Sequence, residues 1–149
     1  MGTETVTLAP VRKTFGGHTG ISQGGGFSFL AAVLSDIPMR AVVAEYPFLC
    51  NFPRAIDTAL EGPDGEINEF LRRSGDRAVE EQLFRTLTYF DAMNFAPDIK
   101  ASIAVAVGLV DPITPPSTIF AAFNHIGSTS IDLFVHRYFG REPMSRFQT

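Results

Sequence analysis

Six of the eleven residues from Gly16 to Gly26 are glycine, and a mostly apolar stretch, Phe27–Leu34, follows them directly. Only glycine takes positive φ freely, so this density marks a backbone that has to fold back on itself. The apolar stretch suits a buried helix entered through those glycines. Inside the cluster, Gly20-Ile21-Ser22-Gln23-Gly24 has the G-x-S-x-G spacing of a nucleophile elbow, a sharp strand-to-helix turn that lifts a serine hydroxyl above a sheet edge. A helix starting near Gln23 would aim its first amide groups at that hydroxyl and hold a developing oxyanion there. The pentapeptide alone also fits an ordinary glycine-rich turn, so the rest of the chain has to decide.

The 149 residues are 45% hydrophobic and include 14 Phe, which suits one globular domain and not a disordered chain. At this length folding hides roughly 70% of the surface that the unfolded chain exposes, enough for a core. A net charge of −4 offers no basic stripe for nucleic acid. No apolar run approaches the ~20 residues of a membrane span, and no positive region followed by an apolar stretch opens the sequence. Cys50 is the single cysteine, so an internal disulfide is excluded. A cytoplasmic protein is expected.

Alternation of apolar residues predicts strands over Thr5–Leu8, Ala41–Ala44, Ile103–Gly108 and Ile131–Val135, the third of them an inner strand. The middle, Pro53 to Met93, is helical in pattern, with Ala55–Leu60 and Arg77–Phe90 as helices and Glu61–Gly65 as a turn. Ile67, Phe70 and Leu71 have the spacing of one buried face, and Val79, Leu83, Leu87 and Phe90 form a similar stripe. Pro115–Asn124 reads as a helix with proline tolerated in its first turn. This order of elements predicts an α/β fold: a mostly parallel sheet with crossover helices and a helical insert.

A serine nucleophile needs a base, and a neutral imidazole needs an orienting carboxylate. In folds with this elbow the chain order is serine, acid, histidine. Asp111 directly follows the apolar stretch Ile103–Val110, where its side chain would emerge at the same sheet edge as the elbow. Read in isolation it is an Asp-Pro turn before a helix. Three segments then combine: Ser22-Gln23-Gly24-Gly25-Gly26, Tyr46-Pro47-Phe48-Leu49-Cys50-Asn51-Phe52-Pro53-Arg54-Ala55, and Gly108-Leu109-Val110-Asp111-Pro112 with Pro115-Pro116-Ser117-Thr118. Together they resemble the acetyl xylan esterase/cephalosporin C deacetylase family of carbohydrate esterases, from about Thr19 to about Pro143. The resemblance implies a truncated α/β-hydrolase fold over residues 19–149, with residues 1–18 an unmatched N-terminal segment. It also implies removal of acetyl groups from carbohydrate or similar small esters, with Ser22 as nucleophile, Gln23 as a backbone oxyanion donor and Asp111 as the triad acid.

Three departures stand beside that likeness. The family's base lies in a Gly-His-Glu sequence after the last strand, and the matching stretch here is Gly140-Arg141-Glu142. A guanidinium stays protonated and cannot take the serine proton, so Arg141 is expected to pair with Asp111. His136, roughly 16 Å away along an extended chain, is the remaining candidate base, although a plain strand role suits it better. His125 fits a helix end and His18 lies below the turn. Second, family members are about twice as long, and the other half carries several strands and the second oxyanion donor. Third, the stretch Phe15-Gly16-Gly17-His18-Thr19-Gly20 makes a poor central strand.

A sheet without its other half has an open apolar edge, which predicts a homo-oligomer or a complementing chain. No cofactor or metal is expected, because the three histidines and one cysteine lack any ligand spacing. An esterase acting on a small acetylated ester, a hydrolase-derived binding or assembly module in which Arg141 blocks the chemistry, and a gene remnant all remain open at this point.

Overall fold

In the computed structural model, which describes residues 15–59 and 61–142, four strands form one sheet. They are β1 (Gly16–Ile21), β2 (Met39–Glu45), β3 (Ser102–Gly108) and β4 (Ile131–His136), each parallel to its sequence neighbour. The helices are α1 (Gln23–Leu34), α2 (Phe52–Thr58), α3 (Gly62–Ser74), α4 (Arg77–Leu87) and α5 (Pro116–Asn124). The parallel sheet with crossover helices and a helical insert is thus present. The strand expected over Thr5–Leu8 lies outside the described residues.

Adjacent parallel strands need a crossover, and crossovers of this kind are right-handed. Because every step runs the same way across the sheet, every crossover lands on one face. The pleat turns alternate residues toward that face. Val42 and Ala44 of β2, and Ile103, Val105 and Val107 of β3, are buried there with Phe29 of α1 and with Ile119 and Ala122 of α5. Among the described residues the opposite face is left exposed at Thr19, Ile21, Ala41 and Phe134. With one layer of helices outside the sheet, α1 buries only its inner side. Phe29 is fully buried, whereas Phe27 and Leu34 are 48% and 63% exposed, which corrects the expectation of a helix buried all round.

The glycine-rich stretch that makes a poor central strand is a strand after all, at the edge of the described sheet. Its ladder with β2 slips register between Gly16 and Gly17. An edge position tolerates weak strand formers because one side of the backbone has no partner to satisfy.

The insert is pinned at both ends by Asp91, whose buried carboxylate accepts from the backbone N–H groups of Asn51 at 2.8 Å, Phe52 at 2.9 Å and Met93 at 3.0 Å. Glu61 is the residue preceding α3 and Pro63 sits in its first turn, so the segment expected as a turn starts a helix. The buried face expected from Ile67, Phe70 and Leu71 does not form: Phe70 is 52% exposed, and the buried residue of α3 is Asp64. Likewise α4 ends at Leu87 and buries no residue; Val79, Leu83 and Leu87 line an open hollow of about 620 Å³ with Phe70. Periodicity identifies residues that share a face, and among the described residues Phe70 meets that face at the hollow without burying it.

Burial, reinforced by the charge of Asp91, pushes the Asp64 carboxyl up to about 6. Its Oδ1 has no hydrogen-bond partner among the described residues. An exposed carboxyl titrates near 4, so the folded state keeps a proton that the unfolded chain loses first. Stability from this group is therefore present below pH ~4 and is lost as the pH rises through about 6. Asp64→Asn removes the loss. In urea unfolding the variant should gain on the parent by up to about 3 kcal/mol between pH 4 and pH 8; a gap that stays constant with pH would contradict the assignment.

Candidate active site

Ser22 is the single residue between the end of β1 and the start of α1, and it adopts φ 58° and ψ −119°. Such a conformation costs a non-glycine residue about 1–3 kcal/mol and persists only where the surroundings over-determine it. Here they do. Ser22 N–H donates to Glu45 O at 2.9 Å, and Ser22 O accepts from Gly26 N–H at 3.1 Å and Phe48 N–H at 2.9 Å. The bend also needs close backbone approach: a Cβ on Gly20 would collide with the Gly24 carbonyl, and one on Gly26 with the Phe48 carbonyl. Gln23, the first residue of α1, places its N–H at the helix start, where the first amides have no intrahelical acceptor.

Asp111 follows β3 and is 4% exposed. Its Oδ1 accepts from Ile113 N–H at 2.9 Å and Thr114 N–H at 3.0 Å, and its Oδ2 accepts a short hydrogen bond from Thr114 Oγ1. The Asp-Pro turn and the site carboxylate are thus the same structure, since the turn's own donors hold the carboxylate in place.

The chain beyond β4 folds back over this loop. Leu109 N–H donates to His136 O at 3.0 Å and Val110 N–H to Phe139 O at 3.3 Å. Gly140 passes so close to β3 that a Cβ on Gly108 would meet its carbonyl oxygen. Arg141 is thereby set between the two candidate side chains. Its Nη1 donates to Ser22 Oγ at 2.6 Å, while its Nε stands 3.9 Å from Asp111 Oδ2. Ser22 and Asp111, 89 residues apart in the numbering, are joined through one guanidinium.

The three histidines are placed as follows. His136 ends β4, with its ring against Tyr46 at 6.2 Å and Phe139 at 6.4 Å between centroids. His18 Nδ1 meets Ser28 Oγ at 2.8 Å. Because that hydroxyl donates to Gly24 O, the imidazole has to be the donor. His125 Nδ1 meets Ala121 O at 2.7 Å. The contact to Ser22 Oγ belongs to Arg141.

Sequence reasoning missed one contact and two residues. It paired Arg141 with Asp111 alone and did not foresee the bond to Ser22. Thr114, which clamps Asp111, could have been found from its spacing of three after an Asp at a strand end. Tyr46 is fully buried beside His136 with φ 47°, and nothing local marks a tyrosine for that role. Burial first, then the charges of Glu45, Glu142 and Asp111, push its hydroxyl up, and that hydroxyl has no hydrogen-bond partner among the described residues. Among the described residues no group of three or more His, Cys, Asp or Glu side chains could hold a metal ion, and no helix is long and apolar enough to cross a membrane.

A family model described as acetyl xylan esterase (AXE1) matches residues 7–149. The acetyl esterase Axe7A of Xylanibacter ruminicola is 30% identical over 107 residues, which is 72% of this chain and 23% of that protein. The structure of acetyl xylan esterase 1 from Thermoanaerobacterium sp. JW/SL YS485 superposes with a TM-score of 0.78 at 40% identity, covering 88% of this chain and 41% of that one. Acetyl xylan esterase from Paenibacillus sp. R4 gives 0.77 at 38% identity, covering 90% and 41%. The chain therefore spans about two fifths of the length of the solved relatives it matches.

Two glycine substitutions test the bend. Gly20→Ala should lower the thermal midpoint through a loss of about 1–3 kcal/mol. Gly24→Ala, where a Cβ meets nothing within 4 Å, should raise it through a gain of about 0.5–1 kcal/mol. Equal melting of the two variants would mean that the close approach at Gly20 is absent.

Proposed function

Because the chain belongs to the acetyl xylan esterase family, we propose that its Ser22 site cleaves acetyl groups from carbohydrate or similar small esters through a serine acyl-enzyme. The observation that carries this reading is a serine hydroxyl on a strained bend, bonded to the Arg141 guanidinium that stands 3.9 Å from the buried Asp111 carboxylate. In the proposed mechanism Ser22 Oγ attacks the acetyl carbonyl, and the Gln23 N–H at the start of α1 stabilises the developing oxyanion. The alcohol leaves, and water then releases acetate from Ser22.

Arg141 sets the pace. A guanidinium has five donors and no acceptor, so it cannot take the Ser22 proton as an imidazole would. Turnover is accordingly slow in this reading. The same contact supports a second one, in which the chain binds acetylated ligands at this seat without cleaving them. The two separate on a single assay. With p-nitrophenyl acetate, Ser22→Ala should abolish a measurable rate, and an unchanged rate would defeat the esterase reading. Arg141→His should raise the Ser22-dependent rate on the order of 1,000-fold if the rest of the site is assembled. No gain would favour the binding reading.

A further inference from the structure

We infer that Arg141 acts in the reaction as a fixed positive charge that steadies the Ser22 alkoxide, so that the site runs on hydroxide from solvent instead of on a protein base. This rests on the esterase reading above and adds a catalytic residue to it.

The geometry favours that role. At 2.6 Å the Nη1–Oγ contact is as short as a charge-assisted hydrogen bond to an oxyanion. Asp111 does not compete for it. Its oxygens are already taken up by Ile113 N–H, Thr114 N–H and the Thr114 hydroxyl, and Nε lies outside hydrogen-bond range at 3.9 Å. The guanidinium is 31% exposed at its side chain, so hydroxide can reach the neighbourhood, while Asp111 beneath it is fully enclosed. Other titratable groups on the surrounding elements are Glu45 and Tyr46 at the end of β2, His136 at the end of β4 and Glu142 beside Arg141. The cation in contact with Oγ is Arg141. A guanidinium has no lone pair to accept a proton and stays a cation through the range in which hydroxide becomes abundant.

The steps balance without a protein base. Hydroxide removes the Oγ proton as water. The alkoxide attacks the acetyl carbonyl carbon, the bond to the leaving alcohol breaks, and the departing alkoxide takes a proton from water. A second hydroxide attacks the acetyl-enzyme; the released Ser22 alkoxide recovers the proton of the acid and leaves acetate.

The test is the Ser22-dependent rate with p-nitrophenyl acetate from pH 6 to pH 10 for the full chain and three variants. The parent should rise about tenfold per pH unit with no plateau in the imidazole range of about 6–7.5. Arg141→Gln should lose on the order of 100-fold at pH 9.5. Arg141→Lys, which keeps the charge, should stay within about tenfold of the parent; that rescue separates a lost charge from a damaged fold. Arg141→His should level off above pH 7. An Arg141→Gln rate equal to the parent at pH 9.5 would overturn the inference and leave the esterase reading standing, and a parent plateau in the imidazole range would do the same by pointing to His136. If neither the parent nor Arg141→His shows any Ser22-dependent rate, the esterase reading itself falls and takes this one with it.

Discussion

The backward bend at Ser22 is the constraint on which the site depends. A serine does not take φ 58° unless something holds it there. The holders are Glu45 O at the end of β2 and Phe48 N–H in the loop after it. Parallel pairing of β1 with β2 therefore comes before the site in any causal order. Among the described residues the non-glycine residues with positive φ are Ser22, Tyr46, Leu49 and Asn51. All four sit in the bend or in the loop that grips it. Their strain is offset locally, since Tyr46 and Cys50 of the same loop and Phe52 at the start of α2 are buried. Strain at the hydroxyl and packing of its neighbours are one structure seen from two sides.

Asp111 shows why the site keeps its shape with an arginine in it. A buried carboxylate that depended on a histidine for its hydrogen bonds would be left uncompensated when the histidine went, at a cost of several kcal/mol. Here the Asp111 oxygens are satisfied by the turn that follows them. The long 3.9 Å approach of the guanidinium is supplementary. The loop can thus accept different partners over its carboxylate without rearranging.

The strands and the helix after the bend were legible in the sequence because each carries its own pattern: period two in Ile103–Gly108, glycine followed by apolar residues at Gln23–Leu34. The bend was legible because glycines flank a serine at fixed spacing. What stayed hidden has a common physical cause. The Arg141–Ser22 bond closes over 119 residues and depends on where the chain goes after β4, which no local pattern encodes. The open stripe of α4 differs from its pattern for a related reason: an amphipathic pattern is necessary for burial but does not supply the covering element. The edge strand Gly16–Ile21 was undervalued because poor strand formers are judged by their propensity in a central position.

The crossing of Gly108 and Gly140 has a wider meaning. The bare backbone of Gly108 lets the carbonyls of Phe139 and Gly140 lie against the end of β3, and that crossing, with the bonds from Leu109 N–H and Val110 N–H, sets the point where the next side chain leaves. The main chain leading into 141 is a socket held by backbone contacts of the residues before it. The group that meets Ser22 Oγ is therefore one side chain carried on a frame that main-chain atoms build.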